Sequence, residues 1–368
     1  MEYVNLGDVA TYINGYAFKP EQRGKKGLPI IRIQDLNGNS HDLGFFDGEY
    51  PEQVEINTGD ILISWSGSLG VYKGNKGKAL LNQHIFKVLF NKIEIDKEYF
   101  CYAIRNSLSS MSQQTHGATM KHITKKDFDN ISIPYPDLIE QKKIANNLNI
   151  VNKLIMFYEK ELILFEQMVK ARFIEMFGDL KSNEKDWNLK TFEEMSVLIT
   201  DGEHSTPKRT KEGIYLLSAR NVLNHSLQLK DVDYINRDEY LRIAKRVVPK
   251  KGDILISCSG TIGRCCSVPD SLQLQMVRSV ALIRFKEVIN PIFAEYMITS
   301  DYLQEQINSS KTMSSQANLF QGKIRKLKGF LPPTELQNQF ADFVEQVNKS
   351  RFDIKKSITE LEREVVYD

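Results

Sequence analysis

Apolar residues in this chain follow two rhythms, and the pair of rhythms occurs twice. In the first half they fall at Ile144, Leu148, Val151, Ile155, Tyr158, Leu162, Phe165 and Val169, steps of four and three that lie on one seam of a long helix. Phe340, Val344, Val347, Arg351, Ile354, Ile358, Leu361 and Val365 repeat that seam, each 196 residues after its counterpart. Upstream of each seam the rhythm shortens to strand-like runs. These are PIIRI, DILIS and HIFKVLF in the first half and YLLSA, DILIS and VALIRF in the second, separated by Gly, Asn and Ser clusters. Short helices are predicted near residues 98–108 and 291–307. The prolines of IPYPDLIEQKKI and FLPPTELQNQF mark where the long helices start, because proline tolerates a helix's first turn and breaks its interior.

The two halves match in order as well as in rhythm. GDILISWSGSLG, residues 59–70, returns as GDILISCSGTIG, residues 252–263, with Trp65 answered by Cys258. Upstream, Gly27-Leu28-Pro29-Ile30-Ile31 lies over Gly213-Ile214-Tyr215-Leu216-Leu217, and a seven-residue change in offset before Gly252 marks an inserted loop. Downstream, NQHIFKVLF from Asn82 meets VRSVALIRF from Val277, Pro136 falls on Pro332 and Gln141 on Gln337. A tandem duplication predicts a mixed α/β (α+β) fold in which two globular domains are separated by two long antiparallel coiled-coil helices with internal pseudo-two-fold symmetry. The predicted divisions are a first globular domain at 1–136, a long helix at 137–179, a second globular domain at 180–332 and a second long helix at 333–368. A helix over residues 140–178 extends on the order of 60 Å, enough to hold two heads apart.

Composition narrows the function classes. The 368 residues carry 41% hydrophobic and 26% charged side chains and a net charge of +2, ordinary for a soluble chain of about two domains. Neither an apolar run of membrane-spanning length nor a basic-then-apolar leader occurs, so a cytoplasmic protein without membrane contact is expected. Cys101, Cys258, Cys265 and Cys266 form no C-x-x-C pair, and His41, His84, His116, His122, His204 and His225 show no ligand spacing. IPYP at 133–136 lacks the Asn of the Asn-Pro-Pro-Tyr motif of adenine methyltransferases, and SGTIG lacks the Lys-Ser/Thr of a phosphate loop. No catalytic residue, metal or cofactor follows from these patterns. A duplicated head on a duplicated rod matches a partner with two related half-sites, and duplex DNA is the commonest such partner.

Over essentially its full length the chain resembles the specificity subunits of type I restriction-modification enzymes. The resemblance is carried by NGYAFKP with GLPIIRIQDL, by GDILIS followed by Ser-Gly in both halves, and by ITDGEHSTPK. It continues through GATMKHITKKDF…IPYPDLIEQKKIA and QANLFQGKIRKL…LPPTELQNQFADFV, each copy ending in a heptad helix. It implies two target recognition domains, each reading half of a bipartite double-stranded DNA site. It also implies helical spacers that dock two methyltransferase (modification) subunits, restriction (translocase and nuclease) subunits joined through the complex, and no catalysis in this chain. The first helix runs on through ARFIEMFG, residues 171–178, and the sequence holds no counterpart of the 173–177 segment after Val365, as expected of either a truncated or a naturally short form. That departure bears on how the second helix packs at its end and docks one modification subunit. The target-recognition part of another DNA methylation or restriction assembly would share the heads but normally carry a catalytic region. A coiled-coil scaffold would share only the rods.

Reading DNA requires Lys and Arg for phosphates, and Arg, Gln, Asn, Ser or Thr on turns for base edges. The first head offers Arg32, Gln34, Asp35, Ser66, Ser68, Lys73, Lys76, Gln83, His84, Thr119 and Lys121. The second offers His204, Thr206, Lys208, Arg209, Arg220, Asn221, Ser259, Thr261, Arg264, Arg278, Gln316 and Asn318. Residues 241–251, LRIAKRVVPKK, are basic where residues 48–59 of the first head are acidic, so more phosphate affinity is expected from the second head. Lys323, Arg325, Lys326 and Lys328 add positive charge where the second head joins its helix.

Overall fold

Ile61–Ser64 and Ile254–Ser257, the strands of the repeated GDILIS runs, are buried at every residue. An unbroken apolar run suits a strand covered on both faces. In the computed structural model, which describes residues 2–40, 42–114, 123–270, 272–309 and 318–367, each of these strands lies inside a four-stranded antiparallel sheet. The first sheet has the order Thr11–Asn14, Ile85–Leu89, Ile61–Ser64, Gly70–Lys73. The second has Ser196–Asp201, Val280–Phe285, Ile254–Ser257, Cys265–Ser267.

A further four-stranded sheet in each half contains the one parallel pairing of that half's named strands, Leu28–Ile31 with Ala79–Leu81 and Ile214–Leu217 with Leu274–Met276. Three-residue turns, 82–84 and 277–279, carry the chain from this sheet into the first one in both halves. The inserted loop of the second half forms the helix Arg237–Ala244, capped by the Asn236 carboxamide, which accepts from the Glu239 N–H at 2.9 Å.

The chain divides into two compact units, Met1–Phe157 with Ile358–Asp368, and Tyr158–Ser357. In the first, Phe100 and Ile104 pack with Ile61, Ile63 and Phe128; in the second, Phe293, Ile298 and Phe330 pack with Ile254, Ile256 and Leu303. The four thiols are reduced and buried. Burial pushes the Cys101 thiol up to about 11 and that of Cys258 up to about 12, so both are held protonated at neutral pH.

The long helices are Leu138–Phe177 and Thr334–Tyr367. Every residue of both predicted seams is buried or half-buried while most of its neighbours are exposed, which is the burial rhythm of paired helices. Inside the second unit the pairing is antiparallel: Arg351 meets Glu166 at 2.8 Å, and Phe340 packs on Phe173 and Phe177.

Each long helix is tied to its head by the same buried glutamine. Gln141 Oε1 accepts from the Asp96 N–H at 2.9 Å, and its Nε2 donates to the Pro136 carbonyl at 2.8 Å. Gln337 does likewise with the Asn290 N–H and the Pro332 carbonyl, both at 2.8 Å, and also reaches the Val288 carbonyl at 3.1 Å. Asp96 and Asn290 in turn cap the helix that follows them, so the glutamine joins two helix starts.

Candidate nucleic-acid interface

Segments far apart in the sequence converge at one end of the antiparallel sheet in each head, and they do so through matching backbone hydrogen bonds. In the first head Gly15 N–H donates to the Ile85 carbonyl (3.0 Å), Tyr16 to Leu81 (2.8 Å), Asn82 to Ile31 (3.0 Å) and Gln83 to Tyr16 (2.9 Å). Trp65 N–H donates to His84 (3.2 Å) and Ile123 to Trp65 (3.2 Å). In the second head the same bonds join Gly202 to Val280 (3.0 Å), Glu203 to Met276 (2.8 Å), Val277 to Leu217 (2.9 Å) and Arg278 to Glu203 (3.0 Å). Cys258 then donates to Ser279 (2.8 Å) and Leu319 to Cys258 (2.9 Å). These bonds occupy backbone groups that water would otherwise have to satisfy, so the junction is a fixed frame.

Small residues make the frame possible. A Cβ on Gly15 would lie 2.0 Å from the Asn82 carbonyl oxygen, and one on Gly202 would lie 2.4 Å from that of Met276. Gly15→Ala and Gly202→Ala are therefore each expected to destabilise their own unit by ~1–3 kcal/mol, because backbone must move to admit the methyl group. Urea unfolding read from Trp65 in one unit and Trp187 in the other checks this, and an unchanged midpoint would show the frame to be slack. Beside the turn, the Ser-Gly loop is braced from within. The buried Ser64 hydroxyl donates to the Ser68 carbonyl, and the buried Ser257 hydroxyl to the Thr261 carbonyl at 2.8 Å. Gly67 and Gly260 take φ of +70° and +71°, a conformation that favours glycine.

The candidate side chains sort against this frame. Gln83, Arg278, Ser68 and Thr261 are exposed on it, Ser259 and His84 are half-buried in it, and Ser66 is buried beneath it. Asn318 joins it through a bridge to Ser259. His204 and Thr206 are exposed on the adjoining loop, where His204 Nε2 lies 2.8 Å from Asp201 Oδ2. Lys208 is exposed beside them, its N–H donating to Glu239 at 3.1 Å. Lys73 stands at the far end of the sheet, opposite Ile61, and pairs with Glu98; exposed Lys76 follows in the next turn. Thr119, Lys121 and Gln316 lie outside the described residues.

Several candidates are engaged within the chain, which competes with a role as base contacts. Asn221 is 1% exposed, and its amide is used up: Oδ1 accepts from the Ser218 N–H, and Nδ2 donates to the carbonyls of Gln228 and Asp231. Asp35 fills the same place in the first head, accepting from the Arg32 N–H at 2.8 Å. Burial opposes ionisation of Asp35, but hydrogen bonds from Arg32 and Ser40 outweigh it and hold the carboxyl below its ordinary value. The Arg32 guanidinium is spent on Asp35, Ser40 and Asp42, while Gln34 beside it stays exposed. Arg264 donates inward to the Ala219 carbonyl at 2.9 Å, and Arg209 and Arg220 both pair with Asp233.

The basic run of the second head is largely neutralised as well. Arg242 binds Glu239 at 2.9 Å and Glu203 at 3.5 Å, Arg246 binds Asp201, and Lys251 binds Asp270 at 3.1 Å. Arg242 ties Glu203 and Ser205 to the helix Arg237–Ala244, and Arg246 ties Asp201 to the turn that follows it. The Glu239–Arg242 spacing of three on a helix was open to sequence reading. Asp201 with Arg246 was not, since 45 residues separate them.

On the outer side of the first long helix Ile150, Leu154, Met156 and Phe157 are exposed in the first unit, and Ile163, Leu164 and Met168 in the second. The second long helix leaves only Phe352 so placed among its described large apolar residues.

The family description "Type I restriction modification DNA specificity domain" matches residues 1–164 and again residues 184–363. The chain is 25% identical over 386 residues to the type I restriction enzyme EcoBI specificity subunit of Escherichia coli, covering 96% of this chain and 81% of that one. It is 24% identical over 374 residues to the MjaVIII specificity subunit of Methanocaldococcus jannaschii, covering 94% and 86%. The fold is shared with the S subunit of a type I restriction-modification system from M. genitalium, at 14% identity, 99% and 93% coverage and a TM-score of 0.55. It is also shared with a chain from a structure concerned with complex assembly and conformational transition of the type I R-M system, at 15% identity, 99% and 95% coverage and a TM-score of 0.65.

Proposed function

This chain belongs to the family of type I restriction-modification DNA specificity proteins, and we propose that each of its heads, at 1–136 and 180–332, reads one half of a bipartite duplex site through the junction described above. The observation that carries this reading is the matched pair of junctions. The same backbone frame is built twice, and the side chains it exposes differ, Gln83 against Arg278 and Ser68 against Thr261. Two readers of different half-sequences require that combination, a common scaffold with different polar ends.

The long helices hold the half-site spacing and dock modification subunits. The exposed apolar residues of the first long helix support this role, because such a row on a helix favours burial against a partner. Catalysis belongs to those partners, restriction subunits join through the complex, and the chain works in the cytoplasm. Among the described residues no helix is long and apolar enough to cross a membrane.

Mapping methylated bases in cells that carry this chain with its modification subunit tests the proposal. The expected result is a single motif of two half-sequences separated by unspecified bases, with no methyl transfer from S-adenosylmethionine by the purified chain alone. A continuous motif, or none, would overturn the two-reader assignment, and methyl transfer by the pure chain would overturn its role as a non-catalytic subunit.

A further inference from the structure

We infer that Gln83 and Arg278 are the direct base readers at equivalent steps of the two half-sites, Gln83 taking an adenine and Arg278 a guanine. This deepens the proposed function and rests on it. The two residues occupy the same position: each is the middle residue of the three-residue turn that links the two sheets of its head. Each backbone N–H is tied to the residue that follows the close-approach glycine, Gln83 to Tyr16 and Arg278 to Glu203. The next residue of each turn accepts a hydrogen bond from the Ser-Gly loop, His84 from Trp65 and Ser279 from Cys258. With the backbone held on both sides, each side chain leaves its frame from the same fixed point, so both can meet the same step of their half-sites.

Both side chains are exposed, and among the described residues neither has a hydrogen-bond or ion-pair partner. That sets Arg278 apart from Arg32, Arg209, Arg220, Arg242 and Arg264, whose guanidiniums are engaged internally. Glu203, whose carbonyl accepts the Arg278 N–H, has its carboxylate occupied by Ser205 and Arg242.

The chemistry of the two ends then selects the base. A carboxamide presents one donor and one acceptor side by side, the complement of adenine N7 and N6 in the major groove. A guanidinium presents two parallel donors, the complement of guanine N7 and O6. Identical placement with different ends gives two heads that read different bases at the same step.

Arg278→Gln and Gln83→Arg, each made in the full chain and assembled with its modification subunits, test the assignment through the methylated motif. Arg278→Gln is expected to alter one base pair in the half-site read by the second head, from guanine towards adenine, and to leave the other half unchanged. Gln83→Arg is expected to make the converse change in the other half. A motif unchanged in both variants, or altered at several positions, overturns the assignment. If a variant methylates nothing, Arg278→Ala is titrated with duplexes carrying each single mismatch in the second half-site. The assignment stands if a penalty of about 10- to 100-fold in the unsubstituted protein disappears at one guanine position alone. It falls if every mismatch penalty persists. Failure of the underlying reading is distinguishable, because the unsubstituted complex would then give no bipartite motif.

Discussion

A complex in which both long helices carry one extra heptad, after Glu159 and after Ser357, is expected to methylate a site with both half-sequences intact and a longer spacer. Seven residues add about 10 Å of helix between the residues that enter the first unit's core and those that enter the second's. That length is roughly three base pairs at 3.4 Å each. Seven residues also return the seam to phase, so Leu162, Phe165 and Val169 stay on the paired face. An insertion of two residues should abolish activity, since it turns the same residues by about 200° out of the seam. The measurement is the methylated motif of the heptad variant. Should that variant be active with an unchanged spacer, the helices hold partners without measuring the site.

The largest loss of stability is expected where a single buried side chain serves several backbone groups. Gln337→Leu removes the carboxamide and leaves the Asn290 N–H and the carbonyls of Pro332 and Val288 without their partner. A group orphaned away from water costs about 1–3 kcal/mol, and with partial rehydration of the others the total should reach about 3–5 kcal/mol. Gln141→Leu strands the Asp96 N–H and the Pro136 carbonyl, so its cost should be smaller, about 2–4 kcal/mol. Each unit contains one tryptophan, Trp65 in the first and Trp187 in the second, so fluorescence in urea can follow them separately. Gln337→Leu should shift the Trp187 transition more than the Trp65 transition, and Gln141→Leu the reverse. A loss below 0.5 kcal/mol would mean that water replaces the amide and that the glutamine is not what ties helix to head.

Which candidate side chains face outward was hardly legible in the sequence. Arg32 and Arg278 both follow strand-like runs, and nothing local separates them. Arg32 has Asp35, Ser40 and Asp42 around it, and Arg278 stands beside a glutamate that is already occupied. The brackets that span three residues, Arg32 with Asp35, Ser218 with Asn221 and Glu239 with Arg242, could have been suspected from spacing.

What the sequence determined by itself was whatever repeats along one dimension. The seam of each long helix follows from steps of three and four, because a helix maps sequence spacing directly onto one face. The buried GDILI strands follow from unbroken apolar runs, and the duplication from like residues in like order. Only the tertiary structure decided the junction, which is built from hydrogen bonds between segments such as Gly15 with Ile85, Trp65 with His84 and Ile123 with Trp65. The physical reason is that a polar side chain becomes a brace or a reader according to whether a partner reaches it first. Those partners arrive from strands and loops whose distance along the chain says nothing of their distance in space.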